Sequence, residues 1–170
     1  MNAAPKLSLA VQYASNAEHL PTRHQFRRWV KAALQRDACA TLRIVDEAEG
    51  HELNRNYRGK DYATNVLTFV YDDAQAPSRP PSSTSFRTGL SGEKPVLSGD
   101  IVICAPVVEK EAREQHKELY AHYAHLTIHA LLHLQGYDHE NEADAAAMEA
   151  RETAILMKLG YADPYQIVTL

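Results

Sequence analysis

His129-Ala-Leu-Leu-His133-Leu-Gln-Gly136-Tyr-Asp-His139 is the stretch on which the reading of this chain turns. Its three histidines stand at i, i+4 and i+10, with a glycine between the second and third. On an α-helix, positions i and i+4 share a face about 5–6 Å apart, close enough for two imidazoles to reach one ion. Glycine accepts the left-handed conformation that ends a helix and turns the chain back, so the third histidine can return to the same ion. The segment therefore predicts a long helix that stops at Gly136, with a metal site of His129, His133 and His139 at its end. Three protein ligands and an open position describe a catalytic zinc, not a structural one. Imidazole ligands also suit other divalent transition metals.

The same positions fit the metzincin protease signature His-Glu-x-x-His-x-x-Gly-x-x-His, except that Ala130 stands where the protease carries its glutamate. That glutamate is the general base of peptide hydrolysis, and alanine cannot take a proton. The pattern thus points to a metal centre with a different reaction.

Working outward, the 170 residues suit one domain. Hydrophobic content of 45% and charged content of 24% are ordinary for a globular protein. No apolar run approaches the roughly 20 residues that cross a bilayer, so no membrane partner is expected. The start, Met1-Asn-Ala-Ala-Pro-Lys6, lacks the pattern of a signal peptide. Cys39 and Cys104 stand alone in apolar runs and read as small core residues, which fits a reducing cytoplasm. The net charge is −4, but residues 1–60 carry +4 and the remainder −8. A basic face from the first third is compatible with that split, as are solvated surface charges.

Alternating or β-rich segments predict strands over Leu7–Tyr13, Cys39–Val45, Asn65–Tyr71 and Gly99–Cys104. Helices are predicted from Arg23 to Leu34 with Thr22 as N-cap, over Glu47–Tyr57, from Pro106 to about Leu134 in two pieces, and after Asn141. The last helix has Asn141 as N-cap, Asp144 at N3, an apolar stripe of Ala147, Met148, Ile155, Leu156 and Leu159, and a stop at Gly160. Between the third and fourth strands, Asp72–Pro95 is rich in Pro and Ser and predicts a mobile loop over 72–97. The outcome is an α/β (α+β) fold with a single small mixed sheet of about four strands packed with helices. The metal site is expected at the end of a central helix.

A second cluster lies at Arg55-Asn-Tyr57-Arg58-Gly-Lys60-Asp61-Tyr62-Ala-Thr64-Asn65-Val66-Leu67, where three cations end a helix just before a strand. Guanidinium groups match phosphate oxygens and stay charged. The competing reading pairs Arg58 with Asp61 and leaves the cations to favour the helix C-terminus.

Together these segments resemble the YbeY family of bacterial rRNA-maturation endoribonucleases. The resemblance rests on His129–His139, on Tyr57-Arg58-x-Lys60-Asp61-Tyr62-x-Thr64-Asn65-Val66-Leu67, on Gly99-Asp100-Ile101-Val102-Ile103, and on Gly160-Tyr161-x-Asp163-Pro164-Tyr165. It covers most of the chain from about residue 40, apart from 72–97. Thr68 and Val70 depart from the family pattern at the rim of the substrate groove. The resemblance implies one Zn2+ on His129, His133 and His139, and a functionally required Arg58. It implies cleavage of single-stranded RNA at the 16S rRNA 3′ end and in late ribosome quality control. Implied partners are single-stranded rRNA, the ribosome and its small-subunit proteins, and a ribosome-associated GTPase. The implied location is cytoplasmic.

His122 and His125 read as helix-surface residues or partners of polar neighbours, since three ligands suffice. Asp138 reads equally as a loop cap or as an orienter of a ligand imidazole. Tyr137 reads as packing and Asp100 as a turn residue. Two other function classes remain: a metzincin-like metallopeptidase drawing its base from Glu140 or Glu142, and a non-catalytic, zinc-bearing ribosome-assembly factor.

Overall fold

The β-rich segments pair into one four-stranded sheet in the computed structural model, which describes residues 4–71, 96–137 and 140–166. The strands are β1 (Leu7–Ala14), β2 (Ala38–Val45), β3 (Val66–Tyr71) and β4 (Leu97–Cys104). The helices are α1 (Arg23–Ala33), α2 (Glu47–Arg58), α3 (Ala105–Glu114), α4 (Leu119–Leu134) and α5 (Glu142–Lys158). The sheet order is β1-β2-β4-β3. β1, β2 and β4 run parallel, and β3 joins β4 antiparallel with Val66 opposite Ile103. This is the mixed sheet the sequence predicts. The strand limits shift by one or two residues, as strand ends do, so β4 takes in Leu97 from the expected loop and Ser98 after it. Residues 72–95 of that loop lie outside the described residues.

Burial follows strand position. β4 is central and buried along nearly its whole length, whereas β3 and β1 are partly exposed edges. One sheet face carries Leu42, Ile44, Ile101 and Ile103 into the larger core with Phe26, Trp29 and Val30 of α1, α4, and Met148, Ile155 and Leu156 of α5. The other face carries Val45, Leu67, Val102 and Cys104 into a smaller cluster with Leu53 of α2.

α1 starts as predicted: Thr22 Oγ1 accepts from the Gln25 N–H at 3.1 Å, and Gln25 Oε1 accepts from the Thr22 N–H at 2.8 Å. α5 starts at Asn141, whose Oδ1 accepts from the Asp144 N–H at 2.8 Å. α4 is the central element. It packs on α1, α3, α5, β3 and β4. From His122 to Leu134 only His129 and His133 escape full burial. The helix is covered on nearly all sides, which its apolar residues and the carboxylate partners of His122 and His125 permit.

Three small readings are corrected. Cys39 is exposed, because the two-residue period of β2 turns it away from the face holding Ala38 and Ala40. Ala147 is exposed, one step round the helix from the stripe Met148-Ile155-Leu156. Asp100 lies inside β4, not in a turn, and accepts a hydrogen bond from Tyr71 Oη at 2.6 Å.

Candidate metal centre

α4 ends where the sequence places its end. Gly136 has φ +104°, a conformation that L side chains resist, and the Tyr137 N–H returns to the Leu132 carbonyl at 3.1 Å. The Gln135 side chain fastens this end to α1. Its Nε2 donates to the Ala33 carbonyl at 2.8 Å, and its Oε1 accepts from the Gln35 N–H at 2.7 Å. The helix turns that carry His129 and His133 are therefore held from two directions.

The two imidazoles lie parallel, 2° apart in plane, with centroids 6.5 Å apart. His129 Nδ1 is 2.6 Å from Glu152 Oε2, and His133 Nδ1 is 3.2 Å from the Tyr137 carbonyl oxygen. In both rings the Nδ1–H is directed at an oxygen acceptor, which makes Nε2 the nitrogen able to bind an ion. This donor set fits zinc or a related divalent metal. His139, the third expected ligand, and Asp138 lie outside the described residues.

Glu152 is the residue that sequence reasoning missed. It is fully buried, and its other oxygen, Oε1, accepts from His125 Nε2 at 2.7 Å and from the Tyr165 hydroxyl. Burial alone would raise its pKa. The hydrogen bonds from His125, His129 and Tyr165 outweigh burial and hold it at about 2. Burial pushes His125 the other way, towards the neutral ring, which still donates from Nε2. The signal was present: Glu152 falls four residues after Met148 and three before Ile155, a carboxylate inside an apolar stripe. A buried carboxylate needs donors, and α4 supplies two histidines one turn apart.

His122 and His125 are thus buried partners of polar neighbours and do not line a helix surface. His122 Nε2 lies 2.9 Å from Glu111 Oε1, and Glu111 also accepts from Asn65 Nδ2 at 3.1 Å. Asn65 in turn sets the start of β3, its backbone carbonyl accepting from the Cys104 N–H at 2.9 Å.

Arg58 is brought to the histidines by tertiary structure. It is the last residue of α2, and Gly59 (φ +70°) reverses the chain there. The following segment leads into β3, an edge strand. A cleft of about 230 Å³ results, lined by His129 and His133 on one side and by Arg58, Lys60, Tyr62 and Asn65 on the other, with Asn54 and the first residues of β3. Asn54 Nδ2 pins this wall by donating to the Tyr62 carbonyl at 2.7 Å. Asp61 is engaged by His51 Nε2 at 2.6 Å, and Arg58 forms no ion pair with it. Among the described residues the cleft lining contains no carboxylate. It presents two cations and two imidazoles, a surface suited to an anion.

Comparison with known proteins places the chain in a family. The sequence profile described as endoribonuclease YbeY matches residues 11–160. The endoribonuclease YbeY of Nitrosospira multiformis is 60% identical over 161 residues, 94% of this chain and 82% of its own length. That of Thiobacillus denitrificans is 55% identical over 162 residues, covering 95% of this chain and 98% of its own. A solution structure of a Thermotoga maritima protein matches with a TM-score of 0.51 at 22% identity. It covers 93% of this chain and 99% of that protein, and so supports the fold.

Proposed function

The chain belongs to the endoribonuclease YbeY family, and from that premise we propose a zinc-dependent endoribonuclease that cuts single-stranded RNA. It is a hydrolase of RNA phosphodiester bonds. Its setting in this reading is the cytoplasm, in maturation of the 16S rRNA 3′ end and late ribosome quality control, with rRNA, small-subunit proteins and a ribosome-associated GTPase as partners. No described helix is long and apolar enough to cross a membrane.

The observation that carries the reaction class is the composition of the cleft: Arg58 and Lys60 face two imidazoles with no carboxylate among the described lining residues. Arg58 binds and orients the phosphodiester and stabilises the charge it gains in the transition state. Lys60 adds a second cation on the same wall. His129, His133 and His139 would hold the ion, which when bound would supply Lewis acidity. Glu152 accepts from His129 Nδ1 and so leaves Nε2 as the nitrogen that would bind the ion. A peptidase is not favoured. Ala130 is fully buried, and Glu140 and Glu142 are exposed and outside the cleft lining.

The test is metal content and single-stranded RNA cleavage on one purified sample, for wild type and His133→Ala. Stoichiometric zinc with cleavage, both lost in the variant, is the expected result. Zinc without cleavage of any RNA would favour the assembly-factor reading.

A further inference from the structure

We propose that Tyr57 and Tyr71, supported by Phe69, form a stacking surface for unpaired nucleobases beside the phosphate cleft. This rests on the endoribonuclease reading and extends it from the phosphate to the bases.

Six large hydrophobic side chains are exposed among the described residues, and four of them fall between residues 57 and 71. Tyr57 is 68% exposed, Tyr62 57%, Val70 53% and Tyr71 41%. Tyr57 and Tyr71 flank Phe69, and exposed aromatic rings so placed mark a contact surface. The rings are held in place. Tyr57 meets Phe69 nearly edge-on, with centroids 5.3 Å apart and planes 75° apart. Phe69 packs on the smaller core cluster. The Tyr71 hydroxyl donates to Asp100. β3 presents Leu67, Phe69 and Tyr71 to one face by its two-residue period.

The occupant follows from what adjoins this surface. Tyr57 is the immediate neighbour of Arg58, and Tyr62 lines the cleft together with Arg58 and Lys60. Aromatic faces beside a cationic cleft match a strand with an anionic backbone and free π-faces, which is unpaired RNA. A duplex offers no such faces, because its bases already stack on one another and its major groove is closed to side chains. The surface therefore selects single strands by the bases, independently of the chemistry at the phosphate.

The experiment compares binding of a labelled single-stranded RNA dodecamer with that of an abasic ribose-phosphate strand of equal length. It uses wild type, Tyr57→Ala/Tyr71→Ala and Tyr57→Phe/Tyr71→Phe, with RNA cleavage measured alongside. Wild type is expected to prefer the base-bearing strand by ~10-fold or more. The alanine pair should lose that preference while binding the abasic strand as wild type does, and the phenylalanine pair should keep it. Equal wild-type affinity for both strands, or an undiminished preference in the alanine pair, would overturn the proposal. If cleavage persists in that case, the endoribonuclease reading stands without it. If wild type neither binds nor cuts RNA, both fall. If the alanine pair keeps its RNA preference but loses small ribosomal subunits, the surface is a protein interface and the proposal is wrong.

Discussion

Glu152→Gln keeps the shape of a side chain that binds two histidines and removes its charge. One amide oxygen replaces the two carboxylate oxygens that serve His125 and His129, so the His129 Nδ1–H is held less firmly and without charge, and zinc affinity should fall roughly 10–100-fold. Competition with a chromophoric chelator measures this, and unchanged affinity would mean that Glu152 does not orient the ligand. Glu152→Ala should also destabilise the fold by about 3–5 kcal/mol, because it breaks a buried network and leaves His125 without its acceptor. Arg58→Ala acts on a different step. The residue is exposed on the cleft wall, so stability and zinc content should hold while RNA cleavage drops about 10²–10³-fold, the usual effect of removing one transition-state donor. Full activity in a zinc-replete Arg58→Ala protein would remove Arg58 from the mechanism. At this scale His129, His133 and Arg58, which meet in the cleft, were legible as residue types with suitable spacing and charge. Glu152 was hidden because its role depends on which helix it faces.

Among the elements, α4 and its stop determine how well the site is held. Gly136 occupies φ +104° with nothing within 4 Å of the position a Cβ would take. Gly136→Ala therefore meets backbone strain and no clash, and should cost about 1–2 kcal/mol in urea unfolding. A neutral result would show that the turn relaxes. Glu111 joins three elements through His122 of α4 and Asn65 at the start of β3. Burial opposes its ionisation, but hydrogen bonds from His122 and Asn65 prevail and lower its pKa. A carboxyl group lowered on folding contributes stability that is present above its unfolded value and lost as pH falls through the folded one. Wild type should therefore lose stability on acidification below the ordinary glutamate range, and Glu111→Gln should lose less over that interval. Chemical denaturation at a series of acidic pH values reads the difference, and parallel curves would exclude Glu111 as a contributor. Helix limits were legible here because caps act locally: Thr22, Asn141 and Gly136 do what their sequence neighbourhoods predict. The burial of α4 on nearly all sides was not, since periodicity reports one face and cannot count the neighbours.

In the whole molecule, the cleft exists because the last turn of α2, the edge strand β3 and the end of α4 meet, although Arg58 and His129 are far apart in the chain. β3 joins the sheet antiparallel beside β4, a placement that no local pattern encodes. The sequence by itself determined the local matters: four strand segments, the helix termini, the histidine spacing, the missing protease base at Ala130, and a specific family likeness. Each depends on residues within about three turns of one another, where backbone geometry transmits the pattern directly. Only tertiary structure decided the strand order, the covering of α4, the meeting of Arg58 with His129 and His133, and the partnership of Glu152 with His125 and His129. Those arise from burial. Desolvation forces a carboxylate and two imidazoles from different helices to satisfy one another, and the sheet edge brings a cationic helix end to the same place.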